Sequence, residues 1–142
     1  MTSGFWVAGS LIILGGVIRL SCFRSLGRFF VYGIAIRPQH KLVVSGLYGI
    51  VRHPGYTGCS SLLLGVILWT LGPDAFIRKC GLKDASSVLP LADLLWFSFL
   101  AYTIMVLLFQ GPVEDKILQD HFGKEWDDYA RRVPCSFIPG VI

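Results

Sequence analysis

Residues 40–56 read HKLVVSGLYGIVRHPGY, and the apolar run GYTGCSSLLLGVILWTL follows at residues 55–71. The first stretch collects two histidines, two tyrosines, a lysine and an arginine beside glycines and a proline, and it contains no acid. Cations, imidazoles and phenols next to small, bendable residues suit a site that grips a small anionic or polar molecule with side chains and backbone. Because the apolar run follows directly, we expect this site to lie at the mouth of a membrane helix.

The composition indicates a membrane protein. The 142 residues are 54% hydrophobic and 15% charged, whereas a soluble domain averages about 25% charged residues. We predict one domain over residues 1–142, with a membrane helix and basic connector at 1–39 and a catalytic core at 40–142. The four cysteines form no CxxC pair and no Cys/His cluster, so we expect no metal site and no nucleic-acid partner.

Three apolar runs, at residues 4–20, 55–71 and 88–109, predict about three membrane helices in an all-α, polytopic fold. For the first run, a cleaved signal peptide is the alternative. Its basic residues follow the apolar run rather than precede it, which favours a retained helix. The second and third runs are expected to form a hairpin. Small residues in the second run favour close helix packing, namely Gly58, Ser61 and Gly65.

The basic residues indicate the orientation in the membrane. Between Arg19 and Arg52 the chain holds six lysines and arginines and no acid, which places this segment in the cytosol. The β-branched residues at 43–51 resemble a strand, but a lone strand at a membrane edge has no partner, so we expect a turn and a short helix. The hairpin returns the tail to the cytosolic side. There we predict helices at 113–122 and 124–132, separated by a stop at Gly123.

Two charged groups invite a functional interpretation, and each has a structural alternative. Arg52 and His53 at a helix start can clamp an anion, or arginine and tyrosine can simply anchor the chain among lipid headgroups. Glu114 and Asp115 would stabilise the start of a helix whatever the function, because acids interact favourably with the positive end of the helix dipole. If the hairpin closes, however, they meet the basic stretch. Cations, phenols and a carboxylate together would suit a zwitterionic or sulfonium-bearing ligand.

Four short motifs resemble a known family. They are HKLV-x-SG-x-Y at residues 40–48, RHP-x-Y at 52–56, ED-x-x-L-x-x-x-FG-x-E-x-x-x-Y at 114–129 and RVP at 132–134. Together, with the apolar hairpin between them, they look like the isoprenylcysteine carboxyl methyltransferases, multi-pass enzymes of the endoplasmic reticulum membrane. The resemblance runs from about His40 to the end. RHP-x-Y alone also occurs in membrane phospholipid methyltransferases and sterol reductases.

The resemblance implies S-adenosyl-L-methionine as cofactor, and as substrates proteins that end in a farnesyl or geranylgeranyl cysteine (CaaX processing). It makes Arg52, His53 and Glu114 the expected catalytic residues. Gln110 stands where the family usually has an arginine implicated in holding the substrate carboxylate; glutamine donates a hydrogen bond but brings no charge. The family also has more membrane helices before this core. The implied cofactor contacts are His40, Lys41, Leu42, Val43, Tyr48, His53, Pro54, Gly55, Tyr56 and Glu114.

Three rival functions stay open at this point. A phospholipid N-methyltransferase needs a base to deprotonate its amine substrate, for which His53 is available. A sterol reductase that uses NADPH would need additional basic residues to bind the 2′-phosphate, and it would need more membrane helices. A catalytically impaired membrane homologue is favoured by Gln110 and by the single apolar run ahead of the core.

Overall fold

All the regular structure in the described part of the chain is helical, which confirms the predicted all-α class. The structure is a computed structural model that describes residues 3–27, 41–71 and 88–140. The predicted site residue His40, much of the basic connector and the polar loop after residue 71 lie outside the described residues. The elements are helix α1 (Ser3–Leu26), a 3₁₀ turn (Gly46–Gly49) and helices α2 (Pro54–Leu71), α3 (Val88–Phe122) and α4 (Lys124–Arg132).

Two of these helices are long and apolar enough to cross a membrane, namely α1 and residues Asp93–Phe122 of α3. The helix predicted at residues 55–71 forms as α2, but it is not among these two, so the three-span topology is not confirmed. Large apolar side chains on α1 and α3 are exposed, which fits lipid as their solvent. They include Trp6, Ile13, Phe99, Tyr102 and Phe109.

Helix α2 packs closely through its small residues, as predicted, and the partner, which the sequence did not indicate, is α1. A Cβ atom on Gly58 would lie 3.0 Å from the carbonyl oxygen of Gly15, and one on Gly65 would lie 2.8 Å from that of Ala8. The Ser61 hydroxyl donates a hydrogen bond of 3.1 Å to a backbone carbonyl of α1. Because the backbones approach this closely, the two helices are held antiparallel with a fixed register.

Helix α3 corrects one prediction. We expected a membrane helix to end at residue 109 and a separate helix to cover 113–122, but α3 runs without a break from Val88 to Phe122 with Pro112 inside it. Proline removes only one backbone hydrogen bond and its ring here is exposed, so the helix continues. Its 35 residues are about 52 Å long, more than the roughly 30 Å of a bilayer core. The acids near its C-terminal end therefore extend beyond the apolar layer.

The tail after α3 folds back on the chain and forms a small core. Gly123 has a positive φ of 54°, which turns the chain between α3 and α4 where the stop was predicted. Trp126, Tyr129 and Val133 are buried, and Leu118 and Phe122 of α3 pack against them. The Tyr129 hydroxyl donates a hydrogen bond of 2.8 Å to the carbonyl of Tyr48. This bond ties α4 to the 3₁₀ turn beside the candidate site.

Candidate functional site

The site is built on the first turn of α2. Pro54 is fully buried and begins the helix, a position that suits its fixed φ and missing N–H. A residue before proline is held in extended geometry, and the carbonyl of His53 accepts the backbone N–H groups of Tyr56 and Thr57 at 3.1 and 3.2 Å. His53 therefore lies at the helix start with its ring turned inward, and only 5% of the residue is exposed.

Four charged side chains meet at this point. Nε2 of His53 lies 2.8 Å from Oδ1 of Asp115, and Nδ1 lies 3.4 Å from Oε2 of Glu114. Nη2 of Arg52 lies 3.2 Å from Oδ2 of Asp115. Two cations and two acids are thus interleaved, and we call them the charged tetrad. The acidic pair of α3 closes onto the basic start of α2, which is the closure that the sequence analysis considered.

The tetrad keeps the imidazole protonated over a wider pH range than a free histidine. Burial acts to lower the pKa of His53, but the hydrogen bonds and charges of Asp115 and Glu114 outweigh it and raise the pKa above its ordinary value. A protonated His53 donates from both ring nitrogens. Arg52 and His53 then balance Glu114 and Asp115, so the tetrad carries no net charge.

Two phenols border the tetrad. The ring of Tyr56 stacks on that of His53 with centroids 5.5 Å apart. Burial raises the pKa of Tyr48, and the nearby negative charge of Glu114 adds to this rise. A phenol with a raised pKa stays neutral at physiological pH, so Tyr48 presents a hydroxyl that donates or accepts a hydrogen bond rather than a negative charge.

The C-terminal segment crosses the base of the tetrad. The backbone N–H groups of Arg52 and His53 donate to the carbonyls of Cys135 and Ser136 at 3.0 and 2.8 Å. The guanidinium of Arg52 also donates to the Ser136 hydroxyl at 2.6 Å. We call residues 135–137 the C-terminal strap. It satisfies the extended backbone that precedes α2 and fixes the direction in which both cations point.

The strap ends on the last apolar residue of the site. The Thr57 hydroxyl donates to the carbonyl of Phe137 at 2.6 Å, and the Phe137 ring lies 5.6 Å from the His53 ring, centroid to centroid. A Cβ atom on Gly111 would lie 2.5 Å from Cζ of Phe137 and 3.4 Å from Cδ2 of His53. Glycine at this point of α3 therefore allows helix, strap and imidazole to come together.

The predicted site residues divide into three groups. The structure brings together Arg52, His53, Tyr56 and Glu114. Leu42 packs instead against the Trp126 core, and Lys41 is exposed. Of the remaining described ones, Val43, Tyr48, Gly55 and Gln110 are half-buried, and Pro54 is buried.

Sequence reasoning overlooked Ser136 and Phe137, and it considered Asp115 only as the neighbour of Glu114. Asp115, not Glu114, makes the shortest contact with His53, and it also forms an ion pair with Arg52. Ser136 and Phe137 lie more than eighty positions from the residues they hold, and nothing local marks that pairing. The one available signal was that Asp115 directly follows Glu114. Two adjacent acids on a helix can contact different atoms of the same basic side chain.

Comparisons with known proteins match one family model and two kinds of relatives. The model of the isoprenylcysteine carboxyl methyltransferase family matches residues 7–77, half of the chain. This match includes α1, the basic stretch and α2, and ends before the acids of α3. The chain is 32% identical to protein-S-isoprenylcysteine O-methyltransferase B of Arabidopsis thaliana, in an alignment that covers 96% of the chain and 61% of that protein.

Two further relatives help to define the likeness. A probable protein-S-isoprenylcysteine O-methyltransferase of Oryza sativa is 31% identical over 87% of the chain and 55% of that protein. A Delta(14)-sterol reductase of Mus musculus is 35% identical, but over 71% of the chain and only 20% of the reductase. The chain thus spans about three-fifths of the length of the methyltransferases that it matches. No solved structure matches it.

Proposed function

Because the chain belongs to the isoprenylcysteine carboxyl methyltransferase family, we propose that it transfers a methyl group from S-adenosylmethionine to the C-terminal carboxylate of a prenylated cysteine in a protein, forming a methyl ester. The observation that carries this proposal is the charged tetrad at the end of an apolar helix pair. It supplies binding groups for a charged cofactor next to a surface that suits lipid.

The chemistry of the described residues fits a zwitterionic cofactor. Glu114 is the more exposed acid of the tetrad and makes its longer contact with His53, 3.4 Å with 33% of the side chain exposed, so it is available to an ammonium group. Nε of Arg52 is buried and has no acceptor among the described residues, which leaves a donor for a carboxylate. We propose as cofactor-binding residues His40, Lys41, Leu42, Val43, Tyr48, His53, Pro54, Gly55, Tyr56 and Glu114.

The proposed reaction needs little acid–base catalysis from the protein. S-Adenosylmethionine supplies a methyl group activated by a positively charged sulfur. A cysteine α-carboxyl group has a pKa of about 3.5, so it is already a carboxylate at neutral pH. The carboxylate oxygen would accept the methyl group while the electron pair of the carbon–sulfur bond remained on sulfur, and Arg52, His53 and Glu114 would hold the cofactor for this transfer. No proton moves in this step.

The work left to the protein is positioning and the exclusion of water. Holding two reactants in line contributes on the order of 7–11 kcal/mol to lowering a barrier. Arg52, His53 and Glu114 would do this as parts of the tetrad, whose members are held by the strap and by α3. The prenyl chain would lie in the lipid beside α2, because the glycine face of α2 is filled by α1.

The proposed location is the endoplasmic reticulum membrane, with the tetrad and the C-terminus facing the cytosol. The acid-free basic segment between Arg19 and Arg52 supports this orientation. The carboxyl ends of proteins that are prenylated in the cytosol would then reach the tetrad directly, while their lipid enters from the bilayer.

A methyl-transfer assay on the purified chain tests the proposal. Labelled S-adenosylmethionine would be offered with N-acetyl-S-farnesyl-cysteine, with N-acetyl-cysteine, or with phosphatidylethanolamine vesicles. We expect a base-labile methyl ester on the farnesylated acceptor alone. Methylation of phosphatidylethanolamine instead would move the function to phospholipid N-methylation, and methylation of no acceptor by protein that binds the cofactor would support a catalytically impaired homologue.

A sterol reductase is the second candidate, favoured by the likeness to the Delta(14)-sterol reductase of Mus musculus. The tetrad would then serve a nicotinamide cofactor rather than a methyl donor. Oxidation of NADPH in the presence of a Δ14-sterol, measured on the same preparation, separates the two candidates. We expect no sterol-dependent oxidation.

A further inference from the structure

The charged tetrad leaves the substrate carboxylate without an obvious cationic partner. Arg52 is paired with Asp115, and His53 is paired with both acids. Gln110 has the position expected for a substrate contact but carries no charge. An anionic substrate bound beside a neutral tetrad therefore needs a cation from another element.

Helix α1 supplies such a cation in Arg19. The helix contains two charged residues, Arg19 and Arg24. A charge within an apolar membrane helix is expensive and is a functional-site candidate by default. Arg24 is exposed and free to extend toward the headgroups. Arg19 is half-buried, and its Nη1 lies 3.5 Å from the carbonyl oxygen of Gly55 in the first turn of α2.

The close packing of α1 on α2 places this guanidinium beside the first turn of α2, which follows His53 directly. Gly58 contacts α1 with almost no space between the backbones, and the antiparallel register sets Arg19 opposite Gly55, two residues after His53. Arg19 thus lies on the α1 side of the same site whose opposite side is α3.

The contacts of Arg19 leave most of its donors available. A distance of 3.5 Å is at the limit of a hydrogen bond, and the guanidinium carries five N–H groups. The central carbon of the guanidinium, Cζ, lies 5.0 Å from the centre of the Phe23 ring. This contact orients the guanidinium plane without using any of its N–H groups. Among the described residues no carboxylate lies within ion-pair distance of Arg19.

We propose that Arg19 binds the α-carboxylate of the substrate and makes the site selective for an acid over its neutral amide. This inference rests on the proposed function, since it names the residue that would hold the substrate of that reaction. A fork of two N–H groups fits a carboxylate in two-point contact. The location of Arg19 at the end of an apolar helix suits an anion whose lipid remains in the bilayer.

The test compares Arg19→Gln, Arg19→Lys and the control Arg24→Gln in the purified full chain. Three quantities are measured: KM and kcat for N-acetyl-S-farnesyl-cysteine, inhibition by the corresponding neutral amide, and the affinity for S-adenosylmethionine. We expect Arg19→Gln to raise KM for the acid about tenfold or more. Inhibition by the amide and cofactor affinity should stay at wild-type values. Arg19→Lys should be intermediate, and Arg24→Gln should behave as wild type.

Each outcome decides between the proposals. Equal changes for acid and amide, or wild-type KM in Arg19→Gln, would overturn the role of Arg19 while leaving methyl transfer by the wild type intact. Absence of methyl transfer by the wild type would instead remove the proposed function and this inference with it. If Arg19→Gln loses cofactor binding, Arg19→Lys decides: a selective rise in KM for the acid supports the role, and parallel changes refute it.

Discussion

Replacing Asp115 with asparagine tests whether the tetrad holds the two ends of the chain together. Asp115 accepts from His53 at 2.8 Å and from Arg52 at 3.2 Å, and asparagine keeps its size while removing its charge. Breaking a buried ion pair costs about 3–5 kcal/mol. Asp115 is 20% exposed and Glu114 still faces His53, so we expect a cost somewhat below this range, about 2–3 kcal/mol.

Thermal unfolding in detergent is the assay, and Asp128→Asn is the matched control. A loss of 2–3 kcal/mol corresponds to a fall in Tm of roughly 5–10 °C for a chain of this size. Asp128 pairs with Arg131 on the surface, with 63% and 76% of the side chains exposed, and such pairs contribute at most about 1 kcal/mol. If the two variants melt within a degree or two of each other, Asp115 does not hold the tetrad and the reasoning is refuted.

Three further predictions concern packing, the strap and pH. Gly15→Ala places a methyl group 2.6 Å from a backbone nitrogen of α2, whereas the methyl group of Gly16→Ala meets open space. We expect Gly15→Ala to lower the free energy of unfolding by at least about 1–3 kcal/mol. Gly16→Ala should leave Tm almost unchanged. Thr57→Val removes the 2.6 Å hydrogen bond to the strap, so thermal melts should show a loss of about 1 kcal/mol relative to the wild type. A variant that melts at the wild-type Tm would contradict the contact. The pKa of His53 is raised in the fold, so its imidazolium stabilises the protein fully below about pH 6.5, the pKa of a free histidine. This contribution is lost as pH rises through the folded-state pKa. Tm should therefore decline as pH rises from about 6.5 through the folded-state pKa in the wild type, but not in His53→Gln.

Much of the fold follows from local chemistry in the sequence. Proline at position 54 after a basic turn indicated where α2 begins, and the small residues of α2 indicated which of its faces packs closely. Gly123 marked the end of α3. These features are readable because each depends on residues within one or two turns of the chain.

The features that sequence reasoning missed depend on distant partners. Pro112 suggested a break, but whether proline ends a helix depends on what surrounds its ring, and here the ring is exposed. The strap of residues 135–137 pairs with the start of α2 across some eighty positions, and no local pattern encodes such a contact. The meeting of Glu114 with His53 could be considered in advance because the hairpin topology returns the tail to the face that the chain left.

Cofactor affinity of Glu114→Ala is the measurement that tests the central claim most directly. In the proposed function the tetrad binds a sulfonium methyl donor, and Glu114 is the accessible carboxylate of the tetrad. Equilibrium binding of S-adenosylmethionine to purified protein should weaken at least about tenfold in Glu114→Ala, corresponding to roughly 1.4 kcal/mol. The exposed control Asp128→Ala should bind as the wild type does. Wild-type affinity in Glu114→Ala and in His53→Ala would contradict the assignment of the cofactor site to the tetrad.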